Sequence, residues 1–257
     1  MIIEFVGCTG AGKTTIISEI QQMLAPAAAV SSSYQFLAKP YGLGNVRHRV
    51  VRSIIQEVIV LPVFLRTMRS NKAIITFSLE MLKRQPTFSI STLNILRAIE
   101  RKIGVLEKIK RDAGDMIVLV DEGTIHLAHK MFVFSNANYT SDEIAKFAQL
   151  VPVPDLIVYV KAPVIELVER TLKRPDPPRE IKANRSKTEM FINRAYEMFE
   201  CIIRQDNIKG RVLTIENSGL QNEAPSHVAS RVARHILNLD SNKKKASAIR
   251  PQLSWKN

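Results

Sequence analysis

Residues 2–15, Ile2-Ile3-Glu4-Phe5-Val6-Gly7-Cys8-Thr9-Gly10-Ala11-Gly12-Lys13-Thr14-Thr15, decide the fold. A short apolar run is closed by Gly7, and the helical pattern from Thr14 to Leu24 follows a glycine-rich turn, so the order is strand, loop, helix. The turn is a complete G-x-x-x-x-G-K-S/T spanning Gly7 to Thr14. In that setting the glycines let backbone N–H groups wrap a phosphate, and the helix N-terminus adds positive potential. Lys13 is positioned to reach the β- and γ-phosphates of a nucleotide and Thr14 to ligate Mg²⁺. Gly7, Gly10, Ala11, Gly12, Lys13, Thr14 and Thr15 are the candidate nucleotide-binding set. Cys8 fills a variable position of the motif and implies no catalytic thiol.

A magnesium site needs a second, anionic anchor at the end of a neighbouring strand. Ile117-Val118-Leu119-Val120-Asp121 supplies it in Walker B form, which makes Thr14 and Asp121 the candidate metal residues. Glu122 has two functional readings and one structural. It can take a proton from an acceptor hydroxyl, activate water, or form a salt bridge at a strand end. His126 and His129, spaced i, i+3 on the helix expected from Thr124, can touch an acceptor or, the favoured reading, fit ordinary polar helix positions. The phosphate loop contains no arginine, so charge developing on a transferred group must be met from elsewhere. The segment KRPDPPREIKANR, residues 173–185, is too rich in proline and charge for a core element and is expected to be a loop over the site. Arg170 and Arg174 stand four apart at its entrance, and Arg179 and Arg185 follow, so closure brings guanidinium groups onto phosphates. Arg174 is the first candidate and Arg170 the second.

Beyond these segments, strands are expected at Ala27 to Val30, Leu156 to Val160 and Arg211 to Ile215. Helices are expected over Pro163 to Leu172, Thr188 to Ile203 and Ser226 to Leu237, with another capped by Ser141. Between Val46 and Lys110 the periodicity is helical throughout. Val46, Val50, Ile54, Val58 and Leu61 share one face, and breaks are expected near Pro62 and Pro86. Apolar strands alternating with helices mean an α/β fold with a mostly parallel sheet covered on both faces. We expect one domain over residues 1–240, with a helical segment at about 46–110, a lid at about 173–187, and a basic, flexible tail at 241–257.

Composition bounds the setting. The 257 residues are 46% hydrophobic and 24% charged, which excludes wholesale disorder. Two cysteines exclude a disulfide framework. The longest apolar run, Val58 to Leu65, contains Pro62 and falls far short of the roughly 20 residues that span a bilayer. The N-terminus lacks a basic, cleavable leader pattern, so the expected localisation is cytoplasmic. The formal net charge of +13 calls for anionic partners. Between Lys39 and Arg111 lie 15 Lys/Arg against four Glu, a local excess of +11. Arg47, Arg49, Arg52, Arg66 and Arg69 bracket the apolar Ile54 to Leu65. They can face a pocket and read an anionic small molecule, meet an anionic membrane surface, or be solvated above an ordinary core helix. Nucleic acid is not an expected partner, and a second copy of the chain, as a homodimer, is a candidate one.

In MIIEFVGCTGAGKTT at the start, and again in Pro154 to Val160, the helix through Glu166 and Arg170, the arginine-bearing lid and the helix Phe191 to Ile203, the chain resembles the thymidylate kinase-like group of P-loop nucleotide kinases. The resemblance covers roughly residues 1–25 and 115–240. It implies a three-layer P-loop NTPase fold with about five parallel strands. It also implies ATP and Mg²⁺ as cofactors, Lys13 and Thr14 at the phosphates, lid arginines over the transferred group, and residues 46–110 on the acceptor side. One departure matters: such kinases follow the strand-end aspartate with an arginine that helps hold an acceptor phosphate, and this chain has Glu122. An acceptor presenting a hydroxyl is therefore expected, with an anionic acceptor as the other form. The rival class is a P-loop NTPase that hydrolyses ATP in a regulatory or partner-coupled role, which the adjacent Asp121-Glu122 pair also suits.

Overall fold

The computed structural model describes residues 1–84, 90–134, 139–175, 181, 184–218 and 225–249. Five strands, β1 (Ile2–Val6), β2 (Val30–Ser32), β3 (Ile117–Asp121), β4 (Leu156–Lys161) and β5 (Val212–Glu216), form one sheet in the order β2-β3-β1-β4-β5. Every pairing is parallel. The helices are α1 (Lys13–Leu24), α2 (Ser33–Ala38), α3 (Arg49–Thr67), α4 (Lys72–Lys83), α5 (Ile90–Asp112), α6 (Ser141–Leu150), α7 (Val164–Leu172), α8 (Arg185–Ile203), α9 (Asp206–Lys209) and α10 (Pro225–Ile249).

Side chains alternate across a strand, so the buried strands feed two cores. Ile2, Val118 and Val120 pack with Leu37, Val60, Val105, Leu106 and Ile109 from α2, α3 and α5. Ile3, Phe5, Ile117 and Leu119 join the larger core with Ile16 and Ile20 of α1, Ile192 and Phe199 of α8, and Val228 and Val232 of α10. This is the expected three-layer α/β P-loop architecture. Because β1 is central and lies between β3 and β4, the loop after it opens at the carboxyl edge of the sheet, beside the ends of both neighbours.

Several boundaries differ from expectation, each for a local reason. β2 lies at Val30–Ser32 rather than 27–30. As an edge strand it tolerates the half-buried Ser31 and Ser32, and Ser32 Oγ then caps α2 by accepting from the Gln35 N–H at 3.3 Å. α3 runs unbroken through Pro62, an exposed position, while Val60, Val63 and Phe64 hold the helix against its neighbours. Pro86 lies outside the described residues. The cap of α6 is Thr140, one residue before Ser141, in a capping box with Glu143. The region after Thr124 is a turn followed by a π-helix at His129–Val133. α8 begins at Arg185, so the expected lid ends earlier than 187 and Arg185 belongs to the helix. α10 continues to Ile249, so the backbone of residues 241–249 is helical.

The apolar face read from Val50, Ile54, Val58 and Leu61 exists, but it points to solvent. The face of α3 that packs is the one carrying Val60, Val63 and Phe64.

Candidate active site

Gly7 follows β1 at φ +145°, and a Cβ there would stand 2.4 Å from the carbonyl oxygen of Val160 on β4. Only glycine lets the loop leave the sheet this close to its neighbour. Gly12 caps α1 at φ +85°. The Asn217 Nδ2–H donates to the Ala11 carbonyl at 2.8 Å, so the residue just after β5 pins the same loop. Lys13 is buried, and its ammonium donates to the carbonyls of Gly7 (2.9 Å) and Cys8 (3.2 Å), folded over the cradle it helps form. Burial pushes the Cys8 thiol up to about 12, which agrees with a residue of no nucleophilic role.

The β1–β3 register sets Phe5 beside Asp121, and this pairing carries Asp121 to the loop. Its Oδ2 accepts from Thr14 Oγ1 at 3.5 Å. Burial, then the adjacent Glu122 charge, raises the Asp121 carboxyl. Burial also works against the charge on Glu122, yet His126, Lys13 and Lys102 together hold that carboxyl well below its ordinary value. Glu122 is the one non-glycine residue with positive φ (62°) among the described residues. The buried Lys102 of α5 donates to its carbonyl, and Glu122 Oε1 lies 3.6 Å from His126 Nε2. Burial lowers Lys102 to about 8. A backbone conformation that costs energy is thus held by its surroundings at the end of β3, beside the candidate metal pair.

Glu4 explains how that corner keeps its shape. An acid in the middle of the apolar β1 is 1% exposed, and its carboxylate accepts from the N–H groups of His126 (2.9 Å) and Ile125 (3.2 Å) and from Thr124 Oγ1 (3.4 Å). Burial raises its carboxyl despite those bonds. Glu4→Ala leaves two buried N–H donors without acceptors and is expected to cost about 2–4 kcal/mol of stability in urea unfolding. A loss under about 0.5 kcal/mol would mean the turn does not depend on this carboxylate.

Phosphate-loop residues, Asp121 and Glu122 line a cavity of about 1000 Å³. Arg52, Ser53 and Gln56 of α3 and Arg101 and Lys102 of α5 also line it. Arg52 stacks over Tyr34 at 4.2 Å from the ring centre, and Arg101 pairs with Glu57 at 2.7 Å. Of the five arginines read as bracketing the apolar stretch, Arg52 lines the cavity while Arg47, Arg66 and Arg69 are exposed. The side chain of Arg49 lies outside the described residues. His126 and His129 are not surface helix positions. Both are about 3–4% exposed, packed with Phe199, and burial holds His129 neutral at about 3.

Of the four lid candidates, Arg170 and Arg174 reach the cavity. Arg170 donates to the Asn217 carbonyl at 3.0 Å and to Glu166 at 2.6 Å. Arg185 instead pairs with Glu169 and Glu189 on the outside. Arg179 falls outside the described residues. Sequence reading missed Lys102, Arg101, Glu4 and Asn217. Glu4 left a signal, an acid inside an apolar strand; the others left none.

No protein-family profile matches the chain, and no curated protein sequence matches it. Among the solved structures that match the chain are two that align over most of its length. One is deoxyadenosine kinase from M. mycoides with dCMP and a flexible dCDP bound, at 13% identity and TM-score 0.47, covering 93% of this chain and 100% of that one. The other is thymidylate kinase from Ehrlichia chaffeensis, at 15% identity and TM-score 0.42, covering 92% and 98%. These identities and scores are too low to carry either protein's substrate over to this chain.

Proposed function

We propose that the chain is an ATP- and Mg²⁺-dependent phosphotransferase that moves the γ-phosphoryl group of ATP to a small acceptor. The observation that carries this reading is one cavity lined both by the phosphate loop with Thr14 and Asp121 and by Arg52, Ser53, Gln56, Arg101 and Lys102 from two helices. A hydrolase needs room for water alone, whereas a wall of polar and cationic side chains from two helices suits a second substrate. The donor set at Thr14 and Asp121, hydroxyl and carboxylate oxygens, suits a hard cation that takes its remaining ligands from phosphate and water. Held by Thr14 and Asp121, a magnesium ion would neutralise β- and γ-phosphate charge.

The acceptor's hydroxyl is directed to Glu122 and any anionic group to Arg52 and Arg101. Glu122 takes the hydroxyl proton as the acceptor oxygen bonds to the γ-phosphorus and the bond to the ADP oxygen breaks. Lys13 holds the phosphate being transferred, and Arg174 meets the charge spread over its oxygens. The alternative, hydrolysis with Glu122 activating water, rests on the same Asp121-Glu122 pair.

Incubation with γ-labelled ATP and a pool of nucleosides, nucleotides and sugars separates the two. Label on an organic acceptor supports transfer, and label found only as inorganic phosphate under every condition overturns it. Asp121→Asn is expected to raise the Mg²⁺ concentration for half-maximal rate by about tenfold, since a neutral amide is a poorer ligand for a hard cation. An unchanged magnesium dependence would remove Asp121 from the metal site.

A further inference from the structure

On α3 the residues Ile54, Val58, Leu61, Leu65 and, just past the helix, Met68 recur at spacings of four and three, preceded by Val50 and Val51. All seven are exposed, from 40% for Met68 to 67% for Val58. Together they leave on the order of 600 Å² of apolar surface in one strip, at the upper end of what a monomer normally shows to water. The opposite face, with Val60, Val63 and Phe64, is already packed, so the strip is not a displaced core face.

The charges around it are of one sign. Arg47 precedes the strip, Arg66, Arg69 and Lys72 stand exposed at its far end, and the single acid in the α3 sequence, Glu57, is taken by Arg97 and Arg101 at 2.7 Å each. Pairing two copies through this helix sets arginine ends against arginine ends in either orientation, between chains that each carry +13. An aliphatic strip offers nucleic acid neither stacking rings nor hydrogen bonds. It also has no polar side chain to fix a register with a protein partner. A bilayer needs no register and, when anionic, complements every charge at the rim. No helix among the described residues is long and apolar enough to cross a membrane.

We propose that α3 is a peripheral membrane-docking surface, laying its aliphatic strip into the interface of an anionic bilayer with Arg47, Arg66 and Arg69 at the level of the lipid phosphates. The same helix carries Arg52, Ser53 and Gln56 to the cavity, so docking brings a wall of that cavity to the membrane-bound helix. The inference is independent of the proposed phosphotransfer and stands or falls separately.

The test is flotation of the full chain with vesicles of phosphatidylcholine alone and of phosphatidylcholine with phosphatidylserine, at low and moderate salt, for wild type, Val58→Glu/Leu65→Glu and Arg66→Gln/Arg69→Gln. The expected result is binding to the anionic vesicles only. It should weaken with salt, fall by about tenfold or more in the glutamate pair, and fall less in the glutamine pair. Circular dichroism and sedimentation velocity accompany each variant. Absence of binding to anionic vesicles, equal binding by the folded glutamate pair, or a wild-type dimer that the glutamate pair dissociates would each overturn the proposal, the last by assigning the strip to a second copy.

Discussion

Lys13→Ala is expected to reduce nucleotide-dependent turnover by on the order of 10³-fold or more while the protein stays folded. The ammonium makes its hydrogen bonds to loop carbonyls, those of Gly7 and Cys8, and none to a core side chain. The fold around it is held by other contacts: Ile16 and Ile20 of α1 are wholly buried, and Asn217 clamps the loop from β5. In the proposed binding mode, the flexible stem swings the charge from its own carbonyls to the β- and γ-oxygens. Removing it takes away a cation that no other side chain of the loop replaces. Turnover should be measured at saturating ATP with thermal unfolding alongside. A variant that unfolds within about 4 °C of wild type, a shift worth roughly 2 kcal/mol or less for a chain this size, yet keeps its rate, would detach the phosphate loop from the chemistry.

The parts legible in the sequence are those whose physics is local. β3 and β4 are apolar runs up to their last residue, and β1 is one but for Glu4, because parallel strands covered on both faces need no polar alternation. The glycine pattern after β1 fixes the phosphate loop because no other residue can make its close approach to Val160. Asp121 follows from the same logic, being the first polar residue at the end of a buried strand. β2 was harder to place, since an edge strand of half-buried serines has no apolar pattern.

Lys102 could not be read at all. On a helix rich in lysine and arginine it looks like one more solvated cation, and only the packing of α5 against the end of β3 buries it on the Glu122 carbonyl. The face of α3 failed in the opposite direction. Its periodicity was legible but its environment was not, because a 3.6-residue period reports an amphipathic helix without saying whether the apolar side meets a core or something outside the chain. His126 and His129 mark the same limit. A turn and a π-helix, not a regular helix, carry them inward among Phe134, Phe191 and Phe199.

That difference between position and environment also separates the two arginines at the end of α7. Thr171 is fully buried and its hydroxyl donates to the Thr9 carbonyl at 3.3 Å, so the end of α7 is tied to the phosphate loop itself. Arg170, one residue before, is held by Asn217 and Glu166 and so braces the segment after β5, which in turn holds the loop at Ala11. Arg174, three residues beyond the tie, reaches the same cavity from the start of the expected lid. If it meets charge that develops only as the phosphoryl group moves, Arg174→Ala lowers kcat by on the order of 10³-fold and changes the KM for ATP far less. Arg174→Lys recovers only part of the rate, because an ammonium cannot present the planar fork of a guanidinium. Arg170→Ala, as the loss of a brace, raises KM and lowers thermal stability together. A KM rise with kcat intact in Arg174→Ala would make it a ground-state phosphate ligand and leave the transition-state charge to be met by residues elsewhere in the lid.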